Sequence, residues 1–230
     1  MLEDLNFSIA PGETVGIIGG TGSGKSTLIQ LIPRFYDTIQ GEILVDGVNV
    51  KEYGFRTLRG KIGMVPQEAV LFSGTIETNL RWGCREAIEE QMVQALRTAQ
   101  AWDFVKALPK GIQSSVSQNG RNFSGGQRQR LTIARALTGS PNILILDDSA
   151  SALDFATDAA LRRAIRRETK DMTVLIVSQR VSSIRSADRI FVLDEGKLCG
   201  IGTHEELLEN CGEYREICLS QASGKEGENP

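Results

Sequence analysis

The chain has 230 residues, of which 24% are charged and 40% are hydrophobic, and its formal net charge is −3 at pH 7. This length allows one or two globular domains with a substantial buried core. Because the chain is slightly acidic and its basic residues are spread along the sequence, we expect no nucleic-acid partner. No apolar run approaches the roughly 18 residues of a membrane span, and the first residues lack a signal-peptide pattern. The chain by itself is therefore predicted to be soluble.

The cysteines and the single histidine do not suggest a metal site. The cysteines form no C-x-x-C pair and have no histidine at metal-binding spacing, which favours a reducing compartment. His204 lies within Thr203-His204-Glu205-Glu206, a capping-box pattern that predicts the start of a helix. We therefore interpret His204 as a surface residue at a helix start and not as a catalytic residue. The cysteines are Cys84, Cys199, Cys211 and Cys218.

The chain opens in a pattern typical of a strand. Leu5, Phe7 and Ile9 alternate with polar residues before a turn at Pro11-Gly12. A start inside a strand suggests a piece of a longer protein. The apolar run from Thr14 to Ile18 then predicts a buried parallel strand.

The segment after this strand fits the P-loop spacing G-x-x-x-x-G-K followed by Ser or Thr. Glycines allow the backbone N–H groups of such a loop to point at phosphate oxygens, while Lys25 supplies a positive charge and Ser26 a hydroxyl ligand for Mg²⁺. A helix is predicted from Lys25 to Ile32, ended by Pro33. The alternative is a glycine-rich turn without a ligand, but strand, loop and helix together favour a phosphate site. The loop residues are Gly19, Gly20, Thr21, Gly22, Ser23, Gly24, Lys25, Ser26 and Thr27.

The rest of the chain alternates between strand and helix patterns, which predicts an α/β fold with a parallel sheet. Helices predominate between residues 75 and 137, with a polar loop over 109–122, and residues 223–230 are predicted to be disordered. The further predicted strands are Gly41 to Val45 with a hairpin at Asp46-Gly47, Ile62 to Val65, Asn142 to Leu146, Thr173 to Val177 and Arg189 to Leu193. The further predicted helices are Ala87 to Ala101, the run from Ser124 to Leu137, and Thr157 to Glu168.

Two motifs in the second half of the chain complement the P-loop. The apolar run from Ile143 to Leu146 ends in Asp147, the Walker B pattern in which a P-loop nucleotidase holds Mg²⁺. The other motif is Ser124-Gly125-Gly126-Gln127, a second glycine-rich helix start. Alone it is equally typical of an N-capped helix, and one chain has no second phosphate for it.

In their order and over essentially the whole chain, these motifs resemble the nucleotide-binding domain of ATP-binding cassette (ABC) proteins. The resemblance implies one domain over 1–230, with a RecA-like P-loop NTPase core and an antiparallel β subdomain in about 1–80 and 141–222. It implies a helical subdomain, which bears the signature motif, in about 81–140. The cofactors implied are ATP and Mg²⁺. The run Leu71 to Ile76 resembles the exporter branch of the family.

The resemblance also implies roles for individual residues. Ser124-Gly125-Gly126-Gln127 matches the signature that contacts the γ-phosphate of ATP held by an opposing subunit. Gln67 matches the Q-loop, which touches Mg²⁺ and the attacking water, so the implied metal ligands are Ser26, Gln67 and Asp147. Ser151-Ala152-Leu153-Asp154 matches the D-loop.

The sequence departs from the family pattern at three places. Asp148 stands where the family usually has a catalytic Glu, Gln179 where it has a switch histidine, and Ser117-Gln118 where exporters have Gly-Glu. The family's adenine-stacking aromatic, expected upstream of the first strand, is absent from this sequence. The resemblance therefore implies an ATPase with a weakened catalytic site of its own, in which Asp148, Gln179 and Gln67 are the catalytic candidates.

The implied partners are a second, non-identical nucleotide-binding domain and the transmembrane domains of an exporter on the same full-length chain. This arrangement would place the chain at the cytoplasmic face of the inner membrane. Two alternatives stay open from the sequence: an ATP-binding module with negligible hydrolysis, and a soluble ABC ATPase in DNA repair or translation.

Overall fold

The computed structural model of the chain describes residues 2–149, 152–168 and 171–223. The strands are β1 (Thr14–Ile18), β2 (Leu44–Val45), β3 (Val48–Asn49), β4 (Ile62–Val65), β5 (Gly74–Thr75), β6 (Ser115–Val116), β7 (Ile143–Asp147), β8 (Thr173–Val177), β9 (Arg189–Asp194) and β10 (Lys197–Gly202). The helices are α1 (Lys25–Leu31), α2 (Phe55–Gly60), α3 (Ile76–Arg81), α4 (Glu89–Thr98), α5 (Trp102–Lys106), α6 (Gly125–Leu137), α7 (Phe155–Glu168), α8 (Val181–Ile184), α9 (His204–Asn210) and α10 (Gly212–Ser223).

The contacts within the chain divide it into two compact units, Met1–Arg59 with Thr173–Pro230, and Gly60–Met172. The predicted subdomain bounds, about 1–80 with 141–222 and about 81–140, stay a prediction. The predicted disordered tail 223–230 lies outside the described residues except for Ser223, which ends α10. Within the described ranges, no helix combines the length and the apolar character that crossing a membrane would take.

The first unit is built on a sheet with the strand order β10-β9-β1-β8. β1 runs parallel to both of its neighbours, so that Gly16 lies opposite Ile176 of β8 and Ile190 of β9. Val15, Ile17 and Ile18 are buried, as expected for a continuous apolar strand in the middle of a parallel sheet. The predicted α/β class is thereby confirmed, and the loop after β1 begins at the carboxyl end of a central strand.

The predicted hairpin at Asp46-Gly47 is confirmed, although its strands are short. β2 and β3 pair with Val45 opposite Val48. Asp46 and Gly47 have φ values of 52° and 77°, the two positive values that a tight two-residue hairpin turn requires. The ladder covers only Leu44–Val45 of the run from Gly41 that was predicted as a strand.

The prediction of a strand over Leu5 to Ile9 is wrong. None of residues 5–9 lies in a strand. Asp4, just before the run, has a φ of 53°, and the N–H of Ala10, just after it, donates to the side chain of Glu13. The segment is attached to the sheet by single contacts. Among these, Glu3 N–H donates to Gly196 O, and the Phe7 and Phe191 rings lie 4.8 Å apart.

The second unit contains the parallel pair β4 and β7, the short antiparallel pair β5 and β6, and helices α3 to α7. α6 begins and ends as predicted, whereas α4 is shorter than the predicted run from Ala87 to Ala101. Because residue 63 is a glycine without a side chain, β4 can lie close to the end of α6. A Cβ atom on Gly63 would lie 2.6 Å from the carbonyl oxygen of Ala136, so a larger residue would force the two elements apart.

Candidate nucleotide-binding elements

The P-loop lies between β1 and α1 in the first unit. Gly24 is the N-cap residue of α1 and has a φ of 99°, a conformation that glycine adopts readily and other residues avoid. α1 runs from Lys25 to Leu31, one residue shorter than predicted. The strand, loop and helix that a P-loop requires are therefore present at the predicted positions.

Lys25 is held inside the loop by its own hydrogen bonds. Its side chain is only 8% exposed. Nζ donates to Gly19 O at 2.9 Å, to Gly20 O at 2.7 Å and to Ser23 Oγ at 3.3 Å. These bonds fix the ammonium group against the loop backbone, so the positive charge of the loop has a defined position.

The loop packs against the carboxyl end of β9 and against the turn between β9 and β10. The N–H of Gly196 donates to Ser23 O. A Cβ atom on Gly19 would lie 2.0 Å from Leu193 O, so only glycine fits there. A turn distant in sequence supports the loop, and no local signal in the sequence could have identified Leu193 or Gly196.

The loop has free space beside two of its glycines. Apart from the adjoining residues, Cβ atoms built on Gly20 and Gly22 would meet none of the described atoms within 4 Å. Among the described residues, no hydrogen bond joins the N–H of Gly22 or of Gly24 to a protein acceptor. Open N–H groups beside a fixed ammonium suit an anion with several oxygens.

Gln67 and Asp148 extend from the same end of two paired strands in the second unit. β4 and β7 pair with Val65 opposite Leu146. Gln67 follows β4 by two residues and is exposed, and Asp148 follows β7 directly and is half-buried. The structure therefore brings these two predicted site residues to one edge.

The two carboxylates at the end of β7 differ in their surroundings. Asp147 closes the strand and is buried, with 6% exposure. Asp148 has a φ of 42°, in the left-handed region. Carboxylate and hydroxyl oxygens, such as those of Asp147 and Ser26, are the ligand types that Mg²⁺ prefers in proteins.

The predicted signature forms the capped start of α6. Ser124 Oγ accepts from the N–H of Gln127 at 3.2 Å, and Ser124 N–H donates to Gln127 Oε1 at 2.9 Å. This is the reciprocal capping box that fixes the first turn of a helix. Outside the neighbouring residues and the backbone of α6 itself, none of the described atoms lies within 4 Å of a Cβ built on Gly125, so there is space beside this position. The cap predicted for this motif is confirmed, and it presents Gly125 at an accessible helix start.

The D-loop match lies partly outside the described residues, since Ser151 is not among them. A Cβ atom on Gly126 would lie 3.3 Å from Ala152 O, so the D-loop passes beside the start of α6. Asp154 accepts hydrogen bonds from the backbone N–H and hydroxyl of Thr157, and these bonds lower the pKa of its carboxyl group. Asp154 therefore caps the first turn of α7.

Two residues of the first unit complete the comparison with the sequence. Gln179 follows β8 and is exposed. The capping box at Thr203 is confirmed, with Glu206 N–H donating to its hydroxyl. The prediction that His204 lies on the surface is wrong, because its side chain is only 7% exposed and packs on Tyr214.

Comparison with known proteins agrees with these motifs. The family model described as ABC transporter matches residues 2–151. An uncharacterized ABC transporter ATP-binding protein of Mycobacterium tuberculosis is 48% identical over 225 residues, covering 96% of this chain and 38% of that protein. A Staphylococcus aureus protein provisionally named a multidrug export ATP-binding/permease protein is 45% identical, covering 94% of this chain and 38% of its own length.

A solved structure is also similar over nearly the whole chain. The ATP-bound structure of a bacterial Atm1-family ABC exporter superposes with a TM-score of 0.91 at 38% identity. The match covers 96% of this chain and 39% of that protein. The present chain thus spans about two fifths of the length of these relatives.

The chain belongs to the ABC transporter family. Its fold is that of the family's nucleotide-binding domain, a mixed α/β P-loop NTPase fold, as predicted. ABC nucleotide-binding domains bind ATP with Mg²⁺, so the predicted cofactors agree with the family.

Proposed function

We propose that the chain is the nucleotide-binding domain of an ABC exporter and that it drives transport by ATP-dependent dimerisation with a second nucleotide-binding domain. The observation that carries this proposal is the fixed position of Lys25 Nζ, between Gly19 O and Gly20 O in an open loop. A lysine ammonium group held at a defined position beside loop N–H groups attracts phosphate oxygens with less entropy loss than a lysine that is free to move. Similarity to a solved exporter supports the transport role.

Each predicted ligand residue has a part in this function. The loop from Gly19 to Thr27 holds the phosphates, and Ser26, Gln67 and Asp147 supply oxygen ligands for Mg²⁺. Bound Mg²⁺ neutralises charge on the phosphates. Gln67 also orients the attacking water.

Hydrolysis at the chain's own P-loop is proposed to be weak. Asp148 is one methylene shorter than the glutamate usual in the family, and a misplacement of about 1 Å can cost roughly 10²-fold in rate. Gln179 can form a hydrogen bond to a terminal phosphate, but its amide cannot carry the charge of a histidine. Both features argue for a site that holds ATP and turns it over slowly.

The signature motif is proposed to serve the other site of a heterodimer. Ser124 and Gln127 retain the family residues and form a complete cap, so the start of α6 is fixed for contact with a γ-phosphate on the partner. If the partner has the usual Glu and His, one competent site remains in each dimer. Transmembrane domains of the same exporter would hold the pair at the cytoplasmic face of the membrane.

The test of the phosphate site is Mg-ATP binding measured by calorimetry on the protein and on Lys25→Ala. We expect a large loss of affinity in this variant. The matched control is Lys51→Ala, because Lys51 Nζ also donates to a backbone carbonyl, that of Thr38, but is exposed and distant in sequence from the loop. Undiminished ATP affinity in a folded Lys25→Ala protein would refute the proposed function.

A further inference from the structure

The side chain of Gln221, in α10, contacts the segment that follows β8 at two points. Its Oε1 accepts a hydrogen bond from the backbone N–H of Val181 at 2.9 Å. Its Nε2 donates to the backbone carbonyl oxygen of Gln179 at 2.7 Å. One amide group therefore binds the backbone on both sides of Arg180, and two bonds at fixed spacing define the orientation of that segment as well as its position.

The bond to Val181 replaces a helix cap. Val181 is the first residue of α8, and the N-cap residue Arg180 provides no side-chain cap. The first N–H groups of a helix have no acceptor within the helix and need one from elsewhere. Gln221 supplies it for Val181, while Ser178 Oγ accepts from the N–H of Arg180 at 3.0 Å. The segment is thus held by Ser178, which follows β8, and by Gln221 of α10.

Gln221 is itself held in place because α10 is anchored over the preceding two turns. Tyr214 is fully buried in an apolar cluster that includes Ile184 of α8. Ile217 and Cys218 pack against the same cluster. Residues 214, 217, 218 and 221 have the spacing of one helix face, so the contacts that seat α10 also set the position of Gln221.

We propose that Gln221 is a positioning residue for Gln179: its two hydrogen bonds set the backbone at the switch position and thereby the approach of the Gln179 side chain to the terminal phosphate of ATP. This inference rests on the nucleotide site proposed above. ADP has no γ-phosphate for the switch residue to contact. Loss of the Gln221 contacts should therefore weaken ATP binding and leave ADP binding unchanged.

The first measurement follows the contact itself by hydrogen exchange of the Val181 amide in the protein without nucleotide. Gln221→Ala should accelerate this exchange. Gln221→Glu retains an acceptor for Val181 N–H and should keep the protection. Ser220→Ala is the matched control, because the Ser220 hydroxyl donates to Ile217 O within its own helix. Unchanged exchange in Gln221→Ala would overturn the inference.

The second measurement is the ratio of ATP to ADP affinity, by calorimetry with Mg²⁺. Loss of the hydrogen bond from the Gln179 side chain to the charged terminal phosphate corresponds to a fall in this ratio of roughly fivefold or more in Gln221→Ala. Gln221→Glu should also lower it, since a carboxylate cannot donate to the Gln179 carbonyl. Ser220→Ala should leave it unchanged.

The outcomes separate this inference from the proposed function. If ATP binds through Lys25 but the Gln221 variants keep the wild-type ratio, the positioning role is wrong and the nucleotide site stands. If both nucleotides lose affinity equally, Gln221 acts on general stability and the inference is also wrong. A wild-type protein that binds neither nucleotide would reject the proposed function together with this inference.

Discussion

The hydroxyl oxygen of Tyr214 lies 2.8 Å from Nδ1 of His204, and both side chains are buried. Burial lowers the pKa of His204 below the ordinary value of 6.5, and Arg185 lowers it further while Glu205 opposes the shift. The folded chain therefore favours neutral histidine. The same cluster raises the pKa of Tyr214, so the tyrosine stays protonated throughout the range in which the histidine titrates.

A histidine kept neutral by folding makes stability depend on pH. Because the folded pKa lies below the unfolded one, the unfolded state binds more protons at mildly acidic pH. The stabilisation is thus complete above pH 6.5 and is lost as the pH falls through the folded pKa. We expect the free energy of unfolding in urea to fall between pH 8 and pH 5, with a shallower fall in His204→Gln. An equal slope in both proteins would contradict the assignment to His204.

Restoring the family residues at the catalytic positions should restore hydrolysis. We expect Asp148→Glu with Gln179→His to raise turnover by on the order of tenfold or more, and by more than the product of the single changes, because both groups act on one transition state. Steady-state phosphate release is measured with the partner domain present, and the control is Asp171→Glu at an exposed position. A wild-type chain that already turns over several ATP molecules per second by itself would exclude a weakened site.

The asymmetric heterodimer predicts different effects from the two motifs of this chain. Ser124→Arg should abolish ATP hydrolysis by the reconstituted pair, because a long cationic side chain would obstruct the γ-phosphate site of the partner. Lys25→Ala should only reduce hydrolysis, since it affects the weaker site. Ser124→Ala is the control that removes the cap but keeps the space. Equal losses from Ser124→Arg and Lys25→Ala, or full activity of this subunit paired with itself, would reject the asymmetric arrangement.

The close approach at Gly63 predicts a stability difference between two glycines of the second unit. A Cβ atom at 63 would lie 2.6 Å from Ala136 O and 2.8 Å from Pro141 Cγ, whereas one at Gly60 meets no atom within 4 Å. Gly63→Ala should lower the free energy of unfolding by about 1–3 kcal/mol through overpacking. Gly60→Ala should be neutral or slightly stabilising. Thermal unfolding of both variants checks this, and equal midpoints would show that β4 and α6 can move apart at no cost.

The parts of the fold predicted well are those in which one local pattern determines the backbone. The glycines before Lys25 and the apolar run before them place β1, the loop and α1 almost to the residue. The Ser124 cap is similarly local, because its hydrogen bonds join residues three apart. The functional roles of these residues stay predictions, since they concern ligands and a partner.

The errors have a common cause, which is contact between residues distant in sequence. Alternation at Leu5 to Ile9 indicates an extended chain but cannot show whether a neighbouring strand accepts its hydrogen bonds. A capping box places His204 at a helix start but does not reveal that Tyr214 covers it. Gln221 carries no local signal at all, because an amide in a terminal helix is typical of a solvent-facing residue.

The backbone conformation of Asp148 determines which side chain the turn after β7 accepts without strain, and the length of that side chain determines how far its carboxylate reaches. Its φ of 42° lies in the left-handed region, where aspartate is several-fold enriched over most residues and a longer side chain gains no local compensation. Aspartate at this position therefore eases the turn, while for the proposed catalytic role it provides a shorter side chain than glutamate. A glutamate would reach farther but would add roughly 1 kcal/mol of conformational strain. We therefore expect Asp148→Glu to raise turnover and to lower thermal stability. In the weak site proposed above, a stable turn and slow hydrolysis would thus both follow from the same residue.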